Sequence, residues 1–251
     1  MTFSRPLLAA IALVGVLGTV TLGLPERAPA APVAATTEPV LLELFTSQGC
    51  SSCPPADRLA EKLATNPGLV VIARPVTYWD RLGWKDTLAR EGNTMLQQDY
   101  AKAGLAGRNG VYTPQIVVDG QFGAVGSQAD AITAGIKRHG GKGGAAIRVS
   151  GNAAKGFTAQ LGGTAGGGAA ELVLVAVTRR VEVGIGRGEN GGRKVAYTNV
   201  LRSERKIADW QGGKASVAIS ADRMKVPGAD RYALVLRAPD GGKVLAARWL
   251  T

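Results

Sequence analysis

Residues 39–57 read PVLLELFTSQGCSSCPPAD and carry the clearest structural signal in the chain. Residues 39–46 are an apolar run of strand length, which Ser47-Gln48-Gly49 interrupts directly before Cys50. After Cys53, apolar residues recur at the spacing of one helix face, at positions 56, 59, 60, 63 and 64. The segment therefore predicts a strand and a helix joined by a turn that contains a CxxC pair.

The rest of the first half continues the alternation of strands and helices. Residues 69–73 (LVVIA) predict a second strand, and residues 87–103 predict a second helix with one apolar side. Asp119-Gly120 between two strand-like runs is a strong hairpin signal, and Ser127 resembles the start of a capping box that opens a third helix. The predicted order over residues 39–139 is strand, helix, strand, helix, hairpin, helix, which is an α/β thioredoxin-like domain.

The second half of the chain has a different pattern. The glycine-rich residues 140–144 (GGKGG) predict a flexible linker. Residues 145–251 contain successive strand-length runs, apolar or alternating, with Gly, Asn or Pro between them. We therefore expect the α/β thioredoxin-like domain to be followed by a separate, antiparallel β-rich, sandwich-like domain.

The N-terminus has the layout of a secretory signal peptide. Arg5 precedes an apolar run at residues 7–24, and Ala28-Pro29-Ala30 offers a small-residue cleavage site. We expect residues 1–30 to be a signal peptide, residues 31–38 to be a flexible leader, and the protein to be exported, periplasmic or secreted. Contact with the membrane is expected only through an uncleaved signal segment.

Composition argues against a nucleic-acid partner. The chain has 30 Lys and Arg against 19 Asp and Glu, a formal net charge of +11, but the basic residues are scattered and aromatic residues make up 5%. A stacking platform for nucleic acid combines a basic groove with several aromatic side chains. The positive charge is as consistent with solubility or with weak attraction to an anionic envelope surface.

The only two cysteines are Cys50 and Cys53. A disulfide between two cysteines this close would close a very short loop and would stabilise the fold little. The spacing therefore favours redox chemistry or metal binding over a structural disulfide. With His139 as the only histidine, a structural zinc site lacks its four ligands, and we expect neither a metal nor a cofactor. In thiol exchange Cys50 would attack and Cys53 would resolve, although Pro54-Pro55 lack the N–H groups that favour a thiolate.

Three further residues are catalytic candidates. Pro114 begins a strand, so the Thr113–Pro114 bond could be cis and leave the backbone of Thr113 free to dock an extended substrate; the alternative is a trans proline on an edge strand. Glu43 lies on the strand that leads to the CxxC pair. Buried beside Cys53, it would have a raised pKa and take the thiol proton; the alternative is an edge or solvent-facing glutamate.

Two loops remain open to more than one interpretation. Residues 78–84 (YWDRLGW), called the aromatic loop below, predict either a substrate groove or a purely structural loop. The candidate substrate-binding residues are four from this loop and one outside it: Tyr78, Trp79, Asp80, Trp84 and Tyr112. Gly186-x-Gly188-x-x-Gly191 matches the dinucleotide fingerprint, but no helix follows it to hold a phosphate. Residues 187–194 predict a solvated hairpin loop, or else a site for an anionic group or a contact with the first domain.

Four segments carry a family resemblance: ELFTSQGCSSCPPAD, YWDRLGWKD, VYTPQIVVDG, and GRGENGGRK through TNVLR. In these segments the chain resembles the secreted thioredoxin-like proteins of the domain of unknown function 1223 family. The resemblance implies a thioredoxin-like fold with Cys50 and Cys53 at the redox position and Pro114 at the cis-proline position, followed by a β-rich region. The family more often has a histidine and an aspartate where this chain has Pro75-Val76-Thr77.

These observations predict an exported thiol–disulfide oxidoreductase-like protein. Its expected partners are protein or small-molecule thiols and disulfides, together with a partner that recycles its redox state. The alternative is a non-catalytic envelope binding protein in which the CxxC pair is a structural disulfide. The direction of electron transfer is not encoded in the Ser51-Ser52 dipeptide between the cysteines.

Overall fold

The computed structural model describes residues 1–2, 38–105 and 110–251. The expected signal peptide and leader lie outside the described residues, apart from residues 1–2 and 38. Within the described ranges, no helix has both the length and the apolar character needed to cross a membrane.

The first part of the structure has the predicted order of local elements. The strands are β1 (Val40–Thr46), β2 (Leu69–Pro75), β3 (Gln115–Val118) and β4 (Phe122–Val125). The helices are α1 (Pro54–Leu63), α2 (Glu91–Lys102) and α3 (Ala129–His139), with a 3-10 turn at Asp80–Leu82. The second part is formed of strands β5 (Ala145–Asn152), β6 (Gly156–Gly163), β7 (Ala170–Gly184), β8 (Lys194–Trp210), β9 (Ala215–Ile219), β10 (Arg231–Arg237) and β11 (Val244–Leu250), with a 3-10 turn at Ala221–Met224.

The expected fold class, a thioredoxin-like domain followed by a separate sandwich-like domain, is wrong. Strands from both parts of the chain form one eight-stranded mixed sheet in the order β11-β10-β7-β8-β2-β1-β3-β4. The junction is a parallel pairing of Ala73 on β2 with Val200 on β8. Every residue of β2 is buried, so its second edge needs a backbone partner inside the protein, and β8 supplies it. Strands β5, β6 and β9 form a second, smaller sheet.

The two parts of the chain also share one hydrophobic core. Leu41 and Ile72 from β1 and β2 belong to the same buried cluster as Val175 and Val235 from β7 and β10. Residues 140–144 are closely packed at the junction, since a Cβ placed on Gly143 would lie 2.0 Å from the carbonyl oxygen of Leu245. Glycine is therefore required here for close approach of two backbones, and Thr37–Thr251 form one compact unit.

The hairpin of β7 and β8 positions the candidate site. These strands have 15 and 17 residues and pair from Ala170 and Trp210 at one end to Gly184 and Lys194 at the other. Helix α1 packs against β8, so the far end of the hairpin lies beside the start of that helix. The loop that joins the strands, residues 185–193, is named the hairpin loop below.

Candidate functional site

Cys50 and Cys53 form a disulfide with their Cα atoms 5.4 Å apart. Both side chains are completely buried, whereas Ser51 and Ser52 between them are exposed. The disulfide therefore lies just beneath a turn whose outer residues face solvent.

The prolines displace the start of α1 away from Cys50. The helix begins at Pro54 with Cys53 as its N-cap, so Pro54 and Pro55 occupy the first turn and contribute no N–H donor. The N–H of Cys53 is not free either, because it donates to the carbonyl oxygen of Cys50 at 3.1 Å. The hydroxyl of Ser52 lies 3.3 Å from the Cys50 sulfur and is the side-chain polar group next to it.

The hairpin loop holds the disulfide turn through Asn190. Its Nδ2 donates to the carbonyl oxygen of Cys50 at 2.8 Å and to that of Gln48 at 3.0 Å. Asn190 is only 1% exposed, so these bonds form away from water and leave no amide proton unpaired. Beside it, an Oε2 atom of Glu189 accepts the N–H of Ser51 at 2.9 Å, and this hydrogen bond lowers the pKa of the Glu189 carboxyl.

Trp84 explains the glycine spacing in the hairpin loop. A Cβ on Gly186 would lie 3.0 Å from the Trp84 ring, and one on Gly188 would lie 3.3 Å from the Trp84 Cβ. The indole Nε1 of Trp84 also donates to Oε1 of Gln48 at 2.8 Å. The apparent dinucleotide fingerprint is therefore a surface on which a tryptophan packs, and residues 187–194 include a contact with the first half of the chain.

Asp80 and Asp86 fix the loop that carries Trp84. Asp86 is buried and accepts the N–H of Gln48 at 2.8 Å through Oδ2, and burial raises the pKa of its carboxyl. Asp80 accepts the N–H of Asp86 at 3.0 Å. The contact seen for Asp80 is thus a structural one inside the loop.

Trp79 connects the disulfide turn to the segment around Pro114. Its Nε1 donates to the hydroxyl of Thr113 at 2.8 Å, and its Cβ would lie 3.3 Å from a Cβ placed on Gly49. The Thr113–Pro114 peptide bond is cis, the geometry expected from the sequence. Pro114 and Ala56 of α1 both approach Gly126, where an added Cβ would lie 3.1 Å from each. The structure thus brings Cys50, Thr113, Pro114 and Trp79 into one region.

Tyr78 and Tyr112 meet at Gln97 of α2. The Tyr78 hydroxyl donates to Gln97 Oε1 at 3.2 Å, and burial raises the Tyr78 pKa to about 12. Gln97 Nε2 donates to the carbonyl oxygen of Tyr112 at 2.7 Å. Both tyrosines are half-buried, so part of each ring remains accessible.

Glu43 does not have the raised pKa that was expected for it. Arg74 approaches its carboxylate at 2.7 Å and Arg237 at 2.9 Å, and Tyr100 donates to its other oxygen. Burial alone would raise the pKa of Glu43, but the two arginines lower it to about 2. Glu204 completes the network by accepting from Arg74 at 2.7 Å. Glu43 is therefore an ionised structural residue that joins β1 to β2, β8 and β10.

Asp57, one helical turn after Cys53, is a carboxyl with a raised pKa on the helix that follows the disulfide. Its Oδ1 accepts the Thr46 hydroxyl at 2.9 Å, while its buried Oδ2 has no hydrogen-bond partner among the described residues. Burial raises the pKa of Asp57 to about 8, against the Thr46 hydrogen bond and with help from the charge of Asp86. Because residues i and i+4 share a helix face, this carboxyl and the Cys53 side chain lie on the same side of α1.

Tyr197 of β8 lies behind the same cluster. It is 1% exposed, and burial followed by the charges of Asp57 and Asp86 raises its pKa well above the ordinary range. Two carboxyls and a phenol thus share the buried side of the disulfide turn. The sequence offered a signal for Asp57, an acid inside the quoted CxxC segment, but none that distinguished it from a surface helix residue.

No metal centre is seen in the described ranges, where His, Cys, Asp and Glu nowhere gather in groups of three or more suited to an ion. The ring of His139 stacks on Phe122 instead, with centroids 5.8 Å apart. The sequence reasoning also missed Gln48 and Asn190, which contact the turn directly.

Comparison with known proteins places the chain in a family without an assigned activity. The protein AGR_C_4864 from Agrobacterium tumefaciens, known from its crystal structure, is 29% identical and superposes with a TM-score of 0.71, over 86% of this chain and 96% of its own. HBP35 of Porphyromonas gingivalis is 14% identical with a TM-score of 0.51, over 85% of this chain and 75% of its own, which shows likeness of fold alone. No curated protein matches the chain. Residues 41–237 match the family described as "Protein of unknown function (DUF1223)", and the chain belongs to that family.

Proposed function

We propose that the protein is an exported thiol–disulfide oxidoreductase whose reacting groups are Cys50 and Cys53. The observation that carries the proposal is a disulfide of sequence separation 3 that lies beside a buried carboxyl with an unpartnered oxygen. Such a small ring constrains the unfolded chain little, so the disulfide contributes little as a staple. A two-electron exchange centre is the use that this arrangement supports best.

In the reducing direction the Cys50 thiolate attacks a disulfide of the client and forms a mixed disulfide, and one client sulfur leaves as a thiolate that takes up a proton. The Cys53 thiol then gives its proton to the Asp57 carboxylate, and the resulting thiolate attacks the Cys50 sulfur. The second client sulfur leaves and is protonated in turn. The client gains two electrons, and the Cys50–Cys53 disulfide is restored. The oxidising direction is the reverse sequence.

Asp57 is suited to the proton transfer because its unpartnered oxygen is held in a buried position. A base with a pKa of about 8 can exchange a proton with a thiol, whose ordinary pKa is about 8.5, without a large difference in driving force. Glu43 is unsuited to this step, because its carboxylate is held ionised by Arg74 and Arg237.

The partners follow from this chemistry. Clients are protein or small-molecule thiols and disulfides, and a second redox partner restores the starting state after each exchange. The surface around Thr113, with the half-buried rings of Tyr78, Trp79 and Tyr112, is where an extended client segment would bind.

A non-catalytic binding protein is the second candidate, favoured by the complete burial of both sulfurs. In that case Asn190 and the hairpin loop would protect a structural disulfide, and the aromatic loop would be a recognition surface. Exchange, in contrast, requires the turn at Ser51-Ser52 to move far enough to expose Cys50.

Trapping of a mixed disulfide separates the two functions. Cys53→Ser, incubated with a disulfide-bonded model peptide, is expected to form a stable covalent adduct through Cys50, visible by mass spectrometry. Cys50→Ser is the matched control and is expected to form none at the same concentration, since the proposed function assigns the attack on the client to Cys50. Absence of the adduct in Cys53→Ser would refute exchange and favour the binding protein.

A further inference from the structure

We propose that Glu189 in the hairpin loop disfavours a thiolate at Cys50 and so holds the pair in its disulfide form. The inference deepens the proposed function, since it concerns the redox equilibrium of the same two cysteines. It is carried by the hydrogen bond of 2.9 Å between the Glu189 carboxylate and the N–H of Ser51, the residue next to Cys50.

The position of Glu189 is fixed by its neighbours. Asn190 is buried and bonded to the carbonyl oxygens of Gln48 and Cys50, so the backbone next to Glu189 is held against the turn. The loop itself is closed by hydrogen bonds from Gly191 to Gly188 at 3.0 Å and from Gly192 to Ile185 at 2.8 Å. The negative charge is thus a built feature of the turn.

The carboxylate acts in two ways on a thiolate at Cys50. It occupies the Ser51 N–H, a backbone donor of the turn in the residue next to Cys50, and it repels a second negative charge nearby. Pro54 and Pro55 have no N–H, and the Cys53 N–H is bonded to the carbonyl oxygen of Cys50, so neither proline nor Cys53 replaces the Ser51 donor. The hydroxyl of Ser52 remains on the Cys50 sulfur.

Charged groups other than Glu189 also lie around the turn, among them Arg58, whose charge lowers the pKa of Asp57. Arg193 donates to Oδ1 of Asn190 at 3.1 Å. Asp86 accepts from the Gln48 N–H, and Asp57 lies on the inner side near Cys53. Burial raises the pKa of both inner carboxyls, whereas the hydrogen bond from Ser51 lowers the pKa of Glu189, so ionisation is favoured at Glu189 and opposed at Asp57 and Asp86.

The test is Glu189→Gln, which keeps an oxygen acceptor for the Ser51 N–H and removes only the charge. Two glutathione thiols reduce the protein disulfide to two thiols and form one glutathione disulfide. This equilibrium constant is measured by alkylation and mass spectrometry between pH 6 and pH 9.5. The matched control is Asp130→Asn, which removes one exposed carboxylate from the first turn of α3 and none from the hairpin loop.

Glu189→Gln is expected to raise the equilibrium constant for reduction about three- to tenfold at the alkaline end, the effect of one charge at a few ångströms near a surface. The difference from wild type should fade toward pH 6, where Cys50 is a thiol in both proteins, and shrink in 1 M salt. Asp130→Asn should match wild type throughout. No difference at any pH, a difference independent of pH, or a lower constant in Glu189→Gln would each overturn the inference.

Failure of this inference differs from failure of the proposed function. The equilibrium constant requires only that glutathione reaches the disulfide, whereas the proposed function requires the client adduct of Cys53→Ser. An adduct without a charge effect would retain exchange and reject the role of Glu189. A charge effect without an adduct would retain the role of Glu189 in a structural disulfide.

Discussion

Asn190, in the loop between β7 and β8, donates from one amide nitrogen to the carbonyl oxygens of Cys50 and Gln48, 140 and 142 residues earlier in the chain. The second half of the chain thereby holds the turn in which the disulfide lies. Since β8 also pairs with β2, the CxxC pair belongs to a site that both halves of the chain form together.

Asn190→Ala is expected to lower the free energy of unfolding by about 2–3 kcal/mol, because two buried hydrogen bonds are lost and the carbonyl oxygen of Gln48 is left without its donor, while that of Cys50 keeps the Cys53 N–H. It should also speed the reduction of the disulfide by dithiothreitol, since the turn is no longer held. Urea denaturation and timed alkylation measure the two effects. Asn152→Ala, which removes two hydrogen bonds at an exposed turn, is the control and should change stability by less than about 1 kcal/mol and leave reduction unchanged. Equal effects of both variants would contradict the role of Asn190.

Asp57→Asn is expected to slow the step in which Cys53 displaces the client, because the proton acceptor is lost. In wild type the rate of this step should rise with pH as Asp57 ionises, which gives the pH–rate profile an inflection near its pKa of about 8. The profile of the variant should lack this inflection. Stopped-flow mixing of reduced protein with a disulfide peptide between pH 6 and pH 9.5 follows the step. A retained inflection near pH 8 would exclude Asp57 as the acceptor.

The same variant gives a stability test with a defined sign. The folded-state pKa of Asp57 is raised from 3.8 to about 8, so the stability that the protonated carboxyl contributes is present below pH 4 and is lost as pH rises through 8. Asn cannot ionise. The stability of Asp57→Asn relative to wild type should therefore improve steadily from pH 4 to pH 9 in urea denaturation, and a flat difference would show that the carboxyl is not buried in its protonated form.

Glu43→Gln is expected to lower the free energy of unfolding by about 3–5 kcal/mol at pH 7, because Arg74 and Arg237 lose a buried counter-charge. The pKa of Glu43 is lowered from 4.5 to about 2, so its contribution is present above pH 4.5 and is lost as pH falls toward 2. The difference in unfolding free energy between Glu43→Gln and wild type, measured by urea denaturation, should thus become smaller as the pH is lowered from 4.5 toward 2. Glu91→Gln, at an exposed position with one hydroxyl partner, is the control and should be nearly neutral.

Gly143→Ala tests the close junction between the two parts of the chain. Its new methyl group would meet the backbone of Leu245 at 2.0 Å, and we expect a loss of about 3 kcal/mol in the free energy of unfolding. Gly162→Ala has open space around it and should stay within about 0.5 kcal/mol of wild type. Similar stabilities for both variants in urea would show that residues 140–144 are a loose linker after all.

Local elements could be predicted from the sequence because their signals are local. The apolar run at 39–46, the helical spacing after Cys53 and Asp119-Gly120 each specify one element, and each element is present. Which strand pairs with which is a long-range property, so nothing in residues 194–210 indicated that Val200 would pair with Ala73 on β2. The glycines at 140–144 indicated flexibility, whereas in the fold they allow close packing.

The sequence predicted the two cysteines and the Thr113–Pro114 bond of the candidate site. It did not predict the polar side chains that contact them. All seven residues of β1 are buried, so alternation could not indicate that Glu43 faces Arg74 and Arg237. Asn190 lies in a glycine-rich run that is typical of a solvated loop. The loop around it packs against Trp84, which lies 102 residues before Gly186 in the sequence, so local sequence could not indicate this contact.

The most direct measurement is electron transfer from the reduced protein to a disulfide-bonded model protein. Reduced wild type is mixed with the client, and free thiols in each are counted by alkylation and mass spectrometry over time. We predict that the client gains two thiols for each Cys50–Cys53 disulfide that is restored, faster than with glutathione at the same thiol concentration, and that Cys50→Ser is inactive. A wild-type rate no higher than that of glutathione would contradict the proposal and identify the CxxC pair as a structural disulfide.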